Sequence, residues 1–117
     1  MRQKLIWAIA FLLLGGATLF ANPPKKNELT FDRQQFSLKV RTIHPVSNVK
    51  NHHVKKIIVL LNGQEIVRKE FAQQQNNEFQ EWEFKFGPDV SLPKGAELKV
   101  ISYCNIFGKK KTTITLD

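Results

Sequence analysis

The chain holds one cysteine and three histidines, and these are its only thiol and imidazole side chains. Cys104 lies in the stretch "SYCNIFG", Ser102 to Gly108. A cysteine followed three residues later by a histidine would be two ligands folded onto one metal by a tight turn, but here that later position is Phe107. The histidines sit together in "IHPVSNVKNHHV". His44 precedes Pro45, which stops strand pairing, and His52 and His53 open the next apolar run. All three lie on one strand-to-strand connection, so their side chains are expected at one end of the fold. Neighbouring residues of an extended chain face opposite sides, so at most one of His52 and His53 faces inward.

A lone cysteine excludes an intrachain disulfide. In an oxidising compartment it is expected to be buried or bound to metal. Leu98, Val100, Ser102 and Cys104 alternate along "LKVISYC", so the sulfur continues an apolar, inward face; a buried cysteine acting as a small hydrophobe is the alternative. There is no glycine-rich phosphate loop, no CxxC pair and no convincing paired-carboxylate arrangement. Hydrolysis and phosphoryl transfer therefore find no support.

The elements that would position these residues begin after an apolar segment. "MRQK" is a short basic start, Leu5 to Ala21 is an apolar run of 17 residues, and "NPPKKNE" turns polar at once. This is the pattern of a secretory signal, with cleavage expected after Ala21 and export to the periplasm or another extracytoplasmic space. A run this short is at the limit for a membrane span, so contact with membrane is expected only if the segment is kept as an anchor. The whole chain carries a net charge of +8, from 18 basic and 10 acidic residues; without Arg2 and Lys4 the charge is +6. Export argues against nucleic acid as the partner of the lysine clusters, leaving a solvated basic face or the attraction of small anions.

Residues 22–35 read as a lead and 36–117 as one domain. In "FSLKVRT" Phe36, Leu38 and Val40 alternate with polar residues, the mark of a half-buried strand. "VKKIIVLL" ends at Asn62-Gly63, a strong two-residue hairpin signal, and "QEIVRKEF" returns from it. The polar tract "AQQQNNE" is a loop, "FQEWEFKF" alternates again, and "AELKVISYC" and "KKTTITL" complete the set. No helical apolar period occurs beyond residue 21. About seven short strands in 96 residues predict an all-β, immunoglobulin-like sandwich with a single core.

"HP", "NHHVKKIIVLL" and "SYCNIFG" together resemble the ferrous-iron domain of the desulfoferrodoxin and neelaredoxin superoxide reductases, over roughly Phe36 to Leu116. The corresponding family segments read as a His-Pro, a His-His followed by an aliphatic strand, and Tyr-Cys-Asn-Ile-His-Gly. The resemblance implies an immunoglobulin-like sandwich and an iron centre of four equatorial imidazoles and an axial thiolate, with a sixth position open to superoxide. Carried over by motif, Cys104 is the axial ligand, His44 and His52 are equatorial ligands, and His53 points elsewhere. The family's remaining two histidines have no counterpart. Phe107 replaces one, and "NPPKKNELTFDRQQ" lacks the Glu-Lys-His segment that holds the other. Phenylalanine keeps roughly the volume of an imidazole without its lone pair, so the packing of the turn is expected to persist while that ligand is lost.

The resemblance implies an exported superoxide-reductase-like protein that binds iron as Fe2+ or Fe3+. Its partners would be superoxide or another small anion and an electron donor. Two alternatives stand beside it: an envelope interaction module that kept the sandwich and lost the centre, and a copper electron-transfer site built on two imidazoles and one thiolate.

Overall fold

The computed structural model describes residues 22–117, so the apolar segment read as a signal lies outside the described residues. Seven strands form two antiparallel sheets: β1 (Lys26–Asp32), β2 (Ser37–Ile43), β3 (Val54–Leu61), β4 (Gln64–Glu70), β5 (Phe79–Lys85), β6 (Glu97–Cys104) and β7 (Lys109–Thr115). One sheet has the order β1-β2-β5 and the other β4-β3-β6-β7. The expected all-β, immunoglobulin-like sandwich is the observed fold.

The sheets face each other across alternating side chains. Leu38 and Val40 of β2 meet Ile57 and Val59 of β3 and Leu98 and Val100 of β6, all fully buried. The β3–β4 hairpin turns at Asn62 and Gly63, both with positive φ, as a tight turn matched to the strand twist requires. The seventh strand comes from the segment read as a lead: β1 pairs with β2 from Lys26 opposite Ile43 to Asp32 opposite Ser37. Its apolar pattern is faint, because the inward row of Asn27, Leu29 and Phe31 starts on a polar residue. Asn27 is buried and fully employed. Its Oδ1 accepts from Thr42 at 2.7 Å and Ser102 at 2.8 Å, and its Nδ2 donates to the Lys110 carbonyl at 3.0 Å. This polar layer bridges both sheets above the aliphatic core.

Two inward rows lead past that layer to the same end of the sandwich. Along β2 the row Leu38, Val40, Thr42 is continued by His44, and along β6 the row Leu98, Val100, Ser102 ends at Cys104; every one is buried. Strand β3 arrives by a less regular route. Val54 pairs with Cys104, but Lys56 pairs with Tyr103, so Lys55 is an extra residue in the ladder. Such a bulge inverts the alternation, placing Val54 on the same buried side as Ile57 and Val59.

Leu38 has no exposed surface and packs in the aliphatic core. Leu38→Ala is expected to lower stability by about 2–5 kcal/mol, through lost transfer free energy and the cavity left behind, as a shift in the urea unfolding midpoint will show.

Candidate metal centre

The end of the sandwich reached by these rows brings together His44, His52 and Cys104. One ligand atom from each lies within 4.8 Å of the other two. Donors bonded to one metal at about 2.0–2.3 Å lie at most about 4.6 Å apart, so small side-chain rotations would complete a shared first shell. The His44 and His52 rings meet edge to face, with centroids 4.7 Å apart. His53 is outside the cluster but still buried, its Nδ1 without a hydrogen-bond partner among the described residues.

Each donor is held by local structure. His44 is fully buried, and its Nδ1 lies 2.9 Å from Oε1 of Gln74. That amide is oriented by three other contacts: Oε1 accepts from the Val54 N–H at 3.1 Å, and Nε2 donates to the carbonyls of His44 at 2.8 Å and Asn76 at 2.9 Å. Gln74 Oε1 is thus an acceptor toward the ring at Nδ1, and the other ring nitrogen, Nε2, lies 3.0 Å from the Asn22 carbonyl.

His52 ends a short turn in which its N–H donates to the Asn48 carbonyl at 2.9 Å. Its Nε2 is buried and has no hydrogen-bond partner among the described residues. Desolvation, with His44 as the second cause, holds the His52 imidazole below the ordinary histidine value, against the opposing effect of the Asn22 carbonyl. A neutral ring keeps a lone pair available.

Cys104 is fixed by its turn. The N–H of Ile106 donates to Sγ at 3.4 Å, and the N–H of Cys104 donates to the Gly108 carbonyl at 3.0 Å. Asn105 ties this turn to the histidine loop, accepting from the His53 N–H at 2.8 Å and donating to the Asn51 carbonyl at 2.9 Å. Gly108 has φ +89°, and a Cβ there would come within 2.5 Å of the Pro23 Cβ, so both backbone and space call for glycine. The phenyl ring expected to keep this turn packed does not do so. Phe107 is 62% exposed, and the turn is held instead by Asn105, the Cys104 backbone and the Gly108 contact. Phe107 follows the cluster in sequence without filling a ligand's place in the interior.

Gln74 and Asn27 were not legible as parts of this site. Gln74 is one of three consecutive glutamines, and nothing in that tract distinguishes the buried one from its exposed neighbours.

The fold is thus an all-β sandwich with two imidazoles and a thiol gathered at one end. The family model described as desulfoferrodoxin matches residues 24–113, and the chain belongs to that family. Among solved structures the chain is similar to the superoxide reductase (1Fe-SOR) from Giardia intestinalis, with a TM-score of 0.62 at 15% identity, covering 81% of this chain and 100% of that one. It is also similar to the superoxide reductase (neelaredoxin) from Ignicoccus hospitalis, with a TM-score of 0.51 at 20% identity, covering 86% of this chain and 85% of that one. At these identities the likeness is one of fold. A search of curated protein sequences gives no match.

Gln74→Leu would leave the Val54 N–H, two carbonyls and the His44 ring without their partner. Each buried group left unsatisfied costs about 1–3 kcal/mol, so a loss of at least about 2 kcal/mol is expected in urea unfolding of the metal-free protein.

Proposed function

We propose that this chain is an exported, iron-binding member of the desulfoferrodoxin family. It would carry out redox chemistry on superoxide, or a related small anion, with a reduced ligand set of His44, His52 and Cys104. The observation that carries the reading is the convergence of these three donors within 4.8 Å, with His52 Nε2 buried and unpartnered. A buried imidazole nitrogen without a hydrogen bond is costly in a structural site and ordinary in a metal site.

When bound, iron would supply one-electron chemistry, with an external donor returning the electron. The protein's part is positional. Gln74 holds the His44 ring through Nδ1, the role that outer-shell partners of metal-bound histidines commonly play. The Ile106 N–H steadies the sulfur. The aliphatic floor and the Asn27 layer keep bulk water from reaching the donors from below. Exposed Lys109, Lys110 and Lys111 follow the cysteine turn directly and favour approach of a small anion.

The same donors form the trigonal set of a copper electron-transfer site, so the metal must be tested by titration. Anaerobic addition of Fe2+, Co2+ and Cu+ to the full chain and to Cys104→Ser is expected to give a single iron or cobalt site with a thiolate-to-metal absorption band absent from the variant. Failure to bind iron or cobalt, or an identical spectrum from Cys104→Ser, overturns the iron reading; tight binding of Cu+ alone replaces it with the copper one.

Export is supported by the basic start and apolar run of residues 1–21. N-terminal analysis of protein recovered from the envelope fraction is expected to begin at Asn22. A membrane-embedded chain that retains Leu5 to Ala21 would contradict cleavage.

A further inference from the structure

The turn after β6 carries the large apolar side chains that stand in solvent among the described residues, Ile106 at 53% exposure and Phe107 at 62%. They are adjacent, and the turn does not need them, because backbone groups and Asn105 hold it. Exposed Pro23 lies against Gly108 and extends the same apolar tip. Contiguous exposed apolar side chains with a polar rim mark a surface that a partner or a membrane covers.

The rim is basic. Lys109 follows Gly108 directly, Lys50 precedes Asn51, whose carbonyl accepts from Asn105 of the turn, Lys55 follows Val54, which pairs with Cys104, and the Lys25 N–H donates to the Ile43 carbonyl; each of these lysines is exposed. The carboxylates at this end are fewer: Glu70, opposite Lys56 in the ladder of β3 and β4, and Glu78, whose carbonyl accepts from the His44 N–H. The chain also enters the sandwich here, with the Asn22 carbonyl 3.0 Å from Nε2 of His44 and Pro23 resting on Gly108. The apolar run Leu5 to Ala21 immediately precedes Asn22. Whatever brings that run to a bilayer brings the Ile106–Phe107 turn to the same surface.

We propose that this end of the sandwich docks on a lipid bilayer with anionic headgroups, with Pro23, Ile106 and Phe107 entering the interface and Lys25, Lys50, Lys55 and Lys109 meeting the lipid phosphates. Charge selects the bilayer over a second copy of the chain. Two copies meeting tip to tip would press their lysines together, whereas an anionic lipid surface attracts each lysine, with a gain of about fivefold in binding apiece. Size points the same way: one turn tip covers far less than the roughly 800 Å² that each partner gives to a standard protein interface, while a bilayer needs only the insertion of an apolar wedge. The docking does not depend on which metal the site holds.

Residues 22–117 hold all seven strands and the whole described core, so the processed chain carries the fold and is the test protein. Its binding is measured by co-sedimentation with vesicles of phosphatidylethanolamine and phosphatidylglycerol, and with vesicles of phosphatidylcholine alone. Binding is expected to the anionic vesicles only, and to fall as salt is raised. Ile106→Ser with Phe107→Ser should weaken it at least about tenfold. Lys50→Gln with Lys109→Gln should weaken it by about fivefold per lysine. Lys85→Gln with Lys94→Gln removes the same charge at the opposite end, where Lys85 pairs with Ser37 and Gly95 bonds to Leu116, and should leave binding unchanged. All of these side chains are exposed, so the variants are expected to fold as wild type does. Equal losses in the two lysine pairs, or full binding by Ile106→Ser with Phe107→Ser, overturn the docking surface. Absence of binding to the anionic vesicles overturns it too, and self-association that the Ile106→Ser, Phe107→Ser variant abolishes would then assign the tip to a second copy.

Discussion

The carboxamide of Gln74 is the contact on which the donor end of this sandwich depends. It joins the His44 ring and carbonyl, the first N–H of β3 and the carbonyl of Asn76, groups from three separate chain segments. Every polar atom of the amide is used, in a place with almost no access to water. In such surroundings a satisfied network is rigid and a half-satisfied one is costly, so this side chain specifies one arrangement of strand ends. The amide oxygen lies 2.9 Å from Nδ1 of His44 and so fixes how that ring sits at the donor end.

Below that contact the interior is graded. Aliphatic side chains from β2, β3 and β6 fill the middle, the Asn27, Thr42 and Ser102 layer spans both sheets above them, and the sulfur and imidazoles come next. The donor rows reach the same end because β2 and β6 belong to opposite sheets and both keep strict alternation. The turn after Cys104 keeps its shape without an inward side chain at position 107, because it is held by backbone groups, Asn105 and the space at Gly108. Solvent exposure of Phe107 follows from the same fact: the turn does not need that side chain.

The period-two pattern of the sequence by itself determined six of the seven strands, the hairpin at Asn62-Gly63, the buried face of β6 and the placement of His44 and Cys104 at strand ends. Those features depend on local alternation and turn chemistry, which the sequence writes directly. Strand β1 was read as a lead because its first inward residue is Asn27, whose burial makes sense only once Thr42, Ser102 and Lys110 are in place around it. The motif resemblance named His52 as the member of the histidine pair at the cluster, but the physical reason lies in the tertiary structure, because alternation along the strand gives the opposite answer. Counting back from the buried Ile57 and Val59 by strict alternation turns His53 inward; the extra residue at Lys55 reverses the phase, so that Val54 is buried opposite Cys104 and His52 joins the cluster. A bulge is an agreement between two strands about register, and no single strand's sequence contains it.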